Sequence, residues 1–397
     1  MKVGIITFQM AWNCGAVLQC AALKKKLETM GHDVVVINYQ PSYKDYKYCK
    51  YQNPITIAIK TWNISKLSSR KRLTKSIKAA GRAVLNWNPK SGRQKQRRDF
   101  DVFCKNYLNL TQKYTSIKEL RENPPECDIY ISGSDQLWNP HLTNEKLDPA
   151  YFLDFGKDTV VRATYAISAC ELDIPSNKNA ILRWATHLDK ISLREEEKRD
   201  EIHELLQREV NVTIDPTLLL QAEDYSDFEQ KENLRSSPYI LVYALDNSGT
   251  NDVLFNSVKI LSDEKKIPVY VISGPHSWPS SVELYRPVDG ISPSEFLRYI
   301  KDADVVVTNS FHATTFSIIY HKEFYTIGTP GRSSRVVELL EKMGLSDRLL
   351  FMDKTGKIHI ENKNVDYNYV SERIAEQQRQ SLQYLESVLQ QGEKRRR

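Results

Sequence analysis

The sequence predicts an α/β protein built from two Rossmann-like, doubly wound domains that face each other across a cleft. Strand-length apolar runs alternate with helical patterns, which is typical of parallel sheets with crossover helices. The alternation stops in a polar segment, residues 223–238, and starts again after it, which indicates a linker between two such domains. A chain of 397 residues is also long enough for more than one hydrophobic core.

The first half of the alternation predicts an N-terminal domain over residues 1–222. VGIITF (3–8), a helix near 16–30 and DVVVINY (33–39) form one βαβ unit. A basic, helical insertion of about residues 41–105 follows. Four further strand candidates that could join the same sheet come after it, at 128–134, 160–168, 190–195 and 211–216, with a helix rich in Glu and Lys between the last two.

The second half predicts a C-terminal domain over residues 239–350. Its strand candidates are YILVYAL (239–245), PVYVIS (268–273), DVVVT (304–308) and EFYTIG (323–328), and its helices lie near 251–265, near 293–301 and from about His312. Residues 351–397 form an extension whose long helix, roughly 369–391, is expected to return toward the N-terminal domain and to end in a basic tail.

The composition is that of an ordinary soluble protein, with 41% hydrophobic and 27% charged residues. No apolar run reaches the roughly 18 to 20 residues that a membrane span needs, and the first residues contain too short an apolar stretch for a signal peptide, so we expect a cytoplasmic protein. The six cysteines form no CxxC pair, which argues against a zinc site or a disulfide framework.

The charge of the chain is concentrated in one block. The stretch that begins at Lys60 and ends at Lys105 holds 14 Lys and Arg against two acids, a net charge of +12, and a second basic cluster lies at 394–397. Such blocks usually form a solvated face or a tail, but they also attract anionic partners such as a membrane surface. Aromatic residues are few in this block and no nucleic-acid motif is present, so we do not expect nucleic-acid binding.

Polar side chains follow several strands, where open α/β sheets bind their ligands. In the first domain Asn13 follows the first strand, and GSDQLWNP places Asp135, Gln136, Trp138 and Asn139 after the third. Hydrogen-bonding groups beside an aromatic platform suit a sugar, whereas the alternative is an Asx turn that caps a helix. The segment thus predicts either a sugar site or a local cap.

The remaining strand ends carry groups that suit an anion. Arg194 ends the strand of KISLRE, where it could clamp a carboxylate or phosphate or simply pair with a neighbouring acid. VVVTNSFHATTF delivers Ser310 and His312 to the start of a helix, whose N-terminus favours negative charge; a lone histidine can also be purely structural. Arg332 and Arg335 follow the next strand. No P-loop, HExxH or GxSxG motif occurs, and no Asp-x-Asp pair lies in a strand-end loop, so no metal site is predicted.

The blocks NCGAVLQCAAL, ISGSDQLWNP, ISLRE, IDPTLLL and PSEFLRYIKDADVVVTNSFHATTFSIIYHKEF occur in the order found in polysaccharide pyruvyl transferases. Over about residues 3–350 the chain resembles that family; the basic region and the C-terminal helix lie outside the recognisable blocks. The resemblance implies two Rossmann-like domains similar to GT-B glycosyltransferases. It also implies transfer of pyruvate from phosphoenolpyruvate to a sugar of a bacterial surface polysaccharide, as a ketal.

The resemblance further implies roles for individual residues. In the family the donor is held by residues that correspond to Arg194, Ser310, Phe311 and His312. From the chemistry of phosphoenolpyruvate we further expect Arg332 and Arg335 to bind its anionic groups and His312 to act as general acid. The acceptor is expected to contact Asn13, Asp135, Gln136, Trp138 and Asn139, with Asp135 or the departing phosphate taking a hydroxyl proton. The reaction needs no metal or redox cofactor, since phosphoenolpyruvate is a co-substrate. The acceptor is expected to be a lipid-linked oligosaccharide, near which the basic block would hold the protein on the inner membrane face.

The same architecture is compatible with a GT-B glycosyltransferase that uses a nucleotide sugar. In that alternative Arg332 and Arg335 would bind the diphosphate and Glu338 could hold a ribose. Release of inorganic phosphate from phosphoenolpyruvate distinguishes pyruvyl transfer from the release of a nucleoside diphosphate.

Overall fold

A computed structural model of the chain describes residues 1–41, 92–235, 238–245, 251–272, 285–328, 334–352, 358–360 and 364–396, with residues 43, 70, 73–74 and 76–78. Most of the predicted basic insertion, and Arg332 in the second domain, lie outside the described residues. Within the described ranges two separate parallel sheets account for most of the strands.

The first sheet has the strand order β3-β2-β1-β4-β5, and every neighbouring pair is parallel. β2 and β3 lie on one side of β1, and β4 and β5 lie on its other side. The strand order therefore reverses at β1, and the loops after β1 and β4 lie next to each other. The strands are β1 (Lys2–Ile6), β2 (Asp33–Tyr39), β3 (Leu110–Tyr114), β4 (Ile129–Ser132) and β5 (Val161–Thr164). The helices that belong with them are α1 (Cys14–Thr29), α2 (Gly92–Tyr107), α3 (Ile117–Glu122) and α4 (Ile174–Ala185).

Two short strands continue from the edge of this sheet instead of joining it fully. β6 (Ser192–Leu193) and β7 (Asn211–Val212) form their own parallel pair, with α5 (Arg199–Leu206) between them. Isolated bridges from Ala163 to Lys190 and from Ile167 to Leu193 connect this pair to the chain of β5. The extension carries Arg194 and the segment after β7 to the same edge as the other strand ends.

The second sheet has the order β10-β9-β8-β11-β12-β13, again parallel throughout. The central strands β8 and β11 are buried at every residue, as the uninterrupted apolar runs predict for strands covered on both faces. The strands are β8 (Ile240–Tyr243), β9 (Val269–Ile272), β10 (Tyr285–Val288), β11 (Val305–Thr308), β12 (Glu323–Ile327) and β13 (Leu349–Leu350). The helices are α6 (Asn251–Lys265), α7 (Pro293–Asp302), α8 (Phe311–Ile319) and α9 (Ser334–Lys342). The predicted fold class of two Rossmann-like domains is confirmed.

Capping residues explain where three helices next to the site begin. The Asn13 side chain accepts a hydrogen bond from the Ala16 amide at the start of α1, and Ser310 does the same for the Ala313 amide in α8. At α7, Ser292 and Glu295 form a reciprocal capping box. Each cap satisfies amides that would otherwise be unpaired at the helix start, so local sequence chemistry sets these helix starts.

The polar segment predicted as a linker contributes to the core. Tyr225 and Phe228 are buried, and the Tyr225 ring packs edge-on against Phe316 of α8 at 5.0 Å between centroids. The Tyr225 hydroxyl also donates to the carbonyl of Thr217 at 2.7 Å. This part of the chain therefore joins the two domains by packing and is not a free tether.

The last helix, α10 (Tyr367–Arg396), packs against the first domain. Ser381 accepts a hydrogen bond from the Ile214 amide at 3.0 Å, and the Tyr384 hydroxyl donates to the carbonyl of Thr164 at 2.7 Å. Arg395, from the predicted basic tail, forms an ion pair with Asp189, 3.0 Å between Nη1 and Oδ2. That charge is therefore already paired within the protein.

The described end of the basic insertion contacts both domains. In α2, Lys95 Nζ lies 2.8 Å from Glu295 of α7 and 3.0 Å from Asp99 on its own helix. The guanidinium of Arg97 lies over the Trp12 ring, 5.0 Å from its centroid. Among the helices of the described ranges, none is both long enough and apolar enough to cross a membrane.

Candidate active site

The strand ends of the two domains meet at the N-termini of α1 and α8. Gly15 of α1 lies directly against the ring of His312: a Cβ built on Gly15 would be 2.2 Å from Nδ1 and 2.3 Å from Cγ. Farther along α8, Thr315 also contacts the first domain: its hydroxyl lies 3.4 Å from the hydroxyl of Thr217. The histidine predicted for the second domain therefore sits in a contact between domains.

Arg194 is buried and already surrounded by acids. Its side chain is 3% exposed, with Nη1 2.8 Å from Asp215 Oδ2 and Nε 3.0 Å from Glu195 Oε1. Burial disfavours its charge, but Glu195 and Asp215 hold the pKa of Arg194 above its ordinary value. Nη2 is buried without a hydrogen-bond partner among the described residues. Nη2 is thus free to bind a ligand, although Glu195 and Asp215 already neutralise the charge of the guanidinium.

Asp215 is a residue of the site to which the sequence assigned no role. Its side chain is fully buried, and Thr217 donates to Oδ1 from both its amide (3.0 Å) and its hydroxyl (2.7 Å). Ser134 donates to Oδ2 at 3.0 Å. Burial opposes ionisation, yet His312, Arg194 and these donors hold its pKa well below the usual range, so Asp215 is a carboxylate at neutral pH. An aspartate before proline at a strand end was the available signal.

His312 lies at the N-terminus of α8 and faces Asp215. Its Nε2 is 3.6 Å from Asp215 Oδ2, longer than a hydrogen bond, and has no other partner within the part of the chain that the structure describes. The preceding Phe311 packs its ring under the Arg194 guanidinium at 4.3 Å. Ser310 is buried and its hydroxyl caps the helix. The imidazole therefore has a nitrogen available for a proton transfer.

Arg335 of α9 reaches the loop after β4. Its Nη2 and Nη1 lie 2.7 and 2.8 Å from the Gln136 side-chain amide, whose carbonyl oxygen accepts from both when turned toward the guanidinium. Next to it on α9, the Glu338 carboxylate accepts from the Glu196 amide at 3.0 and 3.1 Å. Helix α9 thus brings a cation of the second domain to the predicted acceptor loop of the first.

A cleft lies between these elements and α10. Its charged lining consists of three basic side chains and three acids: Arg194, Arg335, Lys342, Glu195, Asp215 and Glu338. The Phe311 ring and Gln377 of α10 also contribute to it. The lining therefore combines balanced charges with an aromatic ring.

The predicted acceptor residues are only partly accessible. Asp135 is half-buried in a left-handed backbone conformation, φ 90°, and its Oδ1 accepts from the Gln136 amide at 2.8 Å. Asn139 is buried and caps the short helix Pro140–Leu142 by accepting from the His141 amide. This segment was predicted to be either a sugar site or a local cap. Asn139 is a cap, whereas Asp135 and Gln136 remain near the cleft.

Trp138 does not form an exposed sugar platform, so that prediction is wrong. The side chain is 0% exposed and stacks on Phe152, with ring centroids 4.7 Å apart and ring planes 3° apart. The physical reason is packing: the indole belongs to the apolar cluster on one face of the first sheet, where it has more to gain from burial than at the surface.

Because Trp138 is a core residue, Trp138→Ala is expected to reduce the free energy of unfolding by about 3 to 5 kcal/mol. Chemical denaturation followed by circular dichroism measures this change. The conservative Trp138→Phe variant should lose less, because it keeps an aromatic ring against Phe152. An unchanged denaturation midpoint in Trp138→Ala would contradict the core assignment.

Among the described residues, no group of three or more His, Cys, Asp or Glu side chains is placed to hold a metal ion. The cysteines in those ranges are free thiols; three of them, Cys14, Cys20 and Cys104, are buried. Burial raises the pKa of Cys104 to about 12, so this thiol stays protonated at neutral pH.

Solved structures similar to the chain over most of its length include sugar-nucleotide enzymes. A UDP-GlcNAc 2-epimerase from Neisseria meningitidis is 11% identical, with 96% of this chain and 94% of that chain covered and a TM-score of 0.43. A UDP-glucosyltransferase from Polygonum tinctorium is 11% identical, with 99% and 98% covered and a TM-score of 0.45. The comparison with curated proteins gives no match.

The family comparison covers the blocks that build the site. The sequence model described as polysaccharide pyruvyl transferase matches residues 13–330. This range begins at the Asn13 cap and includes Asp135, Arg194, Asp215 and His312. It spans most of the chain, so the protein is a member of the polysaccharide pyruvyl transferase family.

Proposed function

We propose that the protein transfers pyruvate from phosphoenolpyruvate to two hydroxyls of a sugar, forming a ketal and releasing phosphate. The observation that carries the proposal is the position of His312, which has an unpaired ring nitrogen at the contact between the two domains. Family membership supports a transferase that acts in polysaccharide biosynthesis. The donor, the acceptor and the course of the reaction are our proposal.

The donor is proposed to bind between Arg194 and Arg335, in the cleft lined by Phe311, the residue before His312. Phosphoenolpyruvate has a phosphate, a carboxylate and a small apolar methylene. Arg335 offers a guanidinium whose described contact is the neutral Gln136 amide, and Arg194 offers its unpaired Nη2. Arg332, outside the described residues, is proposed as a further donor ligand. Ser310 supports the site indirectly, by capping α8.

The proposed chemistry balances without a cofactor. His312 donates a proton to the methylene carbon, so C2 becomes electrophilic, and a sugar hydroxyl attacks C2 while its proton passes to Asp135. The bond between C2 and the phosphate oxygen then breaks, and phosphate leaves with the electron pair. A second hydroxyl attacks the same carbon and gives its proton to the phosphate, which closes the ketal.

The acceptor is proposed to lie against the loops after β1 and β4. Asp135 and Gln136 are half-buried there, and Asn13 lies at the start of α1. We propose a lipid-linked oligosaccharide as the acceptor, held at the inner membrane face through the basic stretch from Lys60 to Lys105. Anionic liposomes should then bind the protein, and binding should weaken as salt increases. Equal binding to neutral liposomes would contradict this part.

Arg335→Ala is expected to raise the KM for phosphoenolpyruvate about 10- to 100-fold, since a hydrogen-bonded charge pair contributes about 1.5 to 3 kcal/mol. Initial rates of phosphate release at varied donor concentration measure the effect. Lys259→Ala is the matched control, because Lys259 is exposed and pairs with Asp263 on α6. A KM equal to that of the control would remove Arg335 from the donor site.

The function itself is tested by incubating the protein with phosphoenolpyruvate and lipid-linked acceptors that carry galactose, glucose or N-acetylmannosamine. Phosphate release, together with a mass gain on the acceptor equal to pyruvic acid less one water, is the expected result. Release of a nucleoside diphosphate from a nucleotide sugar, with no reaction of phosphoenolpyruvate, would instead establish a glycosyltransferase.

A further inference from the structure

We propose that Asp215 is a positioning residue that holds the ring of His312 in the orientation needed for proton transfer and stabilises its protonated form. The inference rests on the proposed function, because it concerns the acid of that reaction. It adds a residue of the first domain to the catalytic apparatus of the second.

The geometry around Asp215 leaves one of its oxygens directed at the ring. Oδ1 is occupied by the amide and hydroxyl of Thr217, at 3.0 and 2.7 Å. Oδ2 accepts from Ser134 and Arg194 and is the atom closest to His312 Nε2, at 3.6 Å. Four donors thus hold a fully buried carboxylate in one orientation beside the imidazole, so the carboxylate can act as a rigid reference for the ring.

The opposite side of the ring is bounded by the backbone of α1. Gly15 has no side chain, and the ring occupies the space that a Cβ would fill. The imidazole is therefore held between a glycine of one helix and a fixed carboxylate, and a modest movement would bring Nε2 within hydrogen-bond distance of Oδ2. The arrangement restrains the ring before a substrate is bound.

The buried charges beside the ring sum to a negative charge. Asp215, which faces the ring, pairs with Arg194, and Arg194 in turn pairs with Glu195 and is influenced by the charge of Asp135. The buried trio of Arg194, Glu195 and Asp215 carries a net charge of −1. Cys14, beside Gly15, contributes no charge, because burial raises the pKa of its thiol far above neutrality. An imidazolium at His312 would neutralise the trio, which suits a residue that must donate a proton.

The test is Asp215→Asn, which keeps the size of the side chain and removes its charge. We expect kcat for phosphate release to fall about 100-fold, within the usual contribution of general acid catalysis, with the KM for phosphoenolpyruvate changed less than about threefold. The alkaline limb of the kcat profile should move to lower pH, since the protonated ring has lost its carboxylate. Nitrogen NMR of labelled histidine, with His312 assigned from its Gln variant, should show the same direction of change without any turnover.

Thr217→Val separates charge from orientation, because it removes one donor to Oδ1 and leaves the carboxylate. Its kcat should fall about threefold while the alkaline limb stays in place. If Asp215→Asn does not fold, an unchanged kcat in Thr217→Val overturns the proposal. If Asp215→Asn folds, the proposal is also overturned when the alkaline limb of its kcat profile and the NMR signals of His312 are both the same as in the wild type. Failure of the wild-type protein to release phosphate from phosphoenolpyruvate contradicts the proposed function instead, and the NMR result still decides whether Asp215 acts on His312.

Discussion

Replacement of His312 by Ala is expected to lower the rate of phosphate release from phosphoenolpyruvate by at least about 100-fold, because it removes the proposed proton donor. The side chain is only 10% exposed and its Nε2 has no hydrogen-bond partner in the described ranges, so few hydrogen bonds depend on it. The folded state should therefore persist. Stopped assays of phosphate release, with thermal unfolding of the same sample, measure both quantities.

His187→Ala is the matched control for this experiment, because that histidine is exposed after α4 and does not line the cleft. Its turnover should equal that of the wild type. Near-normal turnover of His312→Ala would remove the residue from the mechanism, and the proton would then have to come from another group.

Gly15→Ala is expected to reduce turnover at least about tenfold, although it adds a single methyl group. The new Cβ would lie 2.2 to 2.6 Å from three atoms of His312, closer than any real contact, so the ring or the whole of α8 must shift. A displacement near 1 Å is enough to disturb a catalytic geometry substantially. The KM for phosphoenolpyruvate and kcat, measured together, show whether donor binding or proton transfer suffers more.

Gly133→Ala provides the comparison, since it also adds one methyl group, at the end of β4. There the nearest atoms are 3.4 to 3.6 Å away, which is ordinary van der Waals contact, so turnover and the unfolding midpoint should change little. If the two variants behave alike, the close approach of Gly15 to His312 has no functional consequence.

The fold was largely predictable because its signals are local. The buried strand VVVT appears at Val305–Thr308 as expected, and the helix predicted at 251–265 occurs at Asn251–Lys265. β3 (Leu110–Tyr114) was missed, because LTQKY is polar and two of its five residues are exposed at the edge of the sheet. β6 and β7 were found, but their two-residue length gave no sign that they pair with each other beside the main sheet.

The sequence predicted where the site residues lie better than it predicted what each of them does. Arg194 and His312 do lie at one place, as residues after parallel strands should. Arg194 was expected to be a free clamp or an ion-pair partner, and the structure shows it bound to two acids. Trp138 shows the opposite failure: a tryptophan among polar residues suggested a sugar platform, but the sheet face beneath it buried the ring.

The sequence by itself determined the alternation of strands and helices and the family, because each depends on neighbouring residues or on motifs read in order. Only the tertiary structure decided which polar groups meet. Asp215 faces His312, and Gly15 lies against the same ring, because the packing of two domains brings distant strand ends together. That packing depends on the shapes of both surfaces at once, and such information is not present in any one segment of the chain.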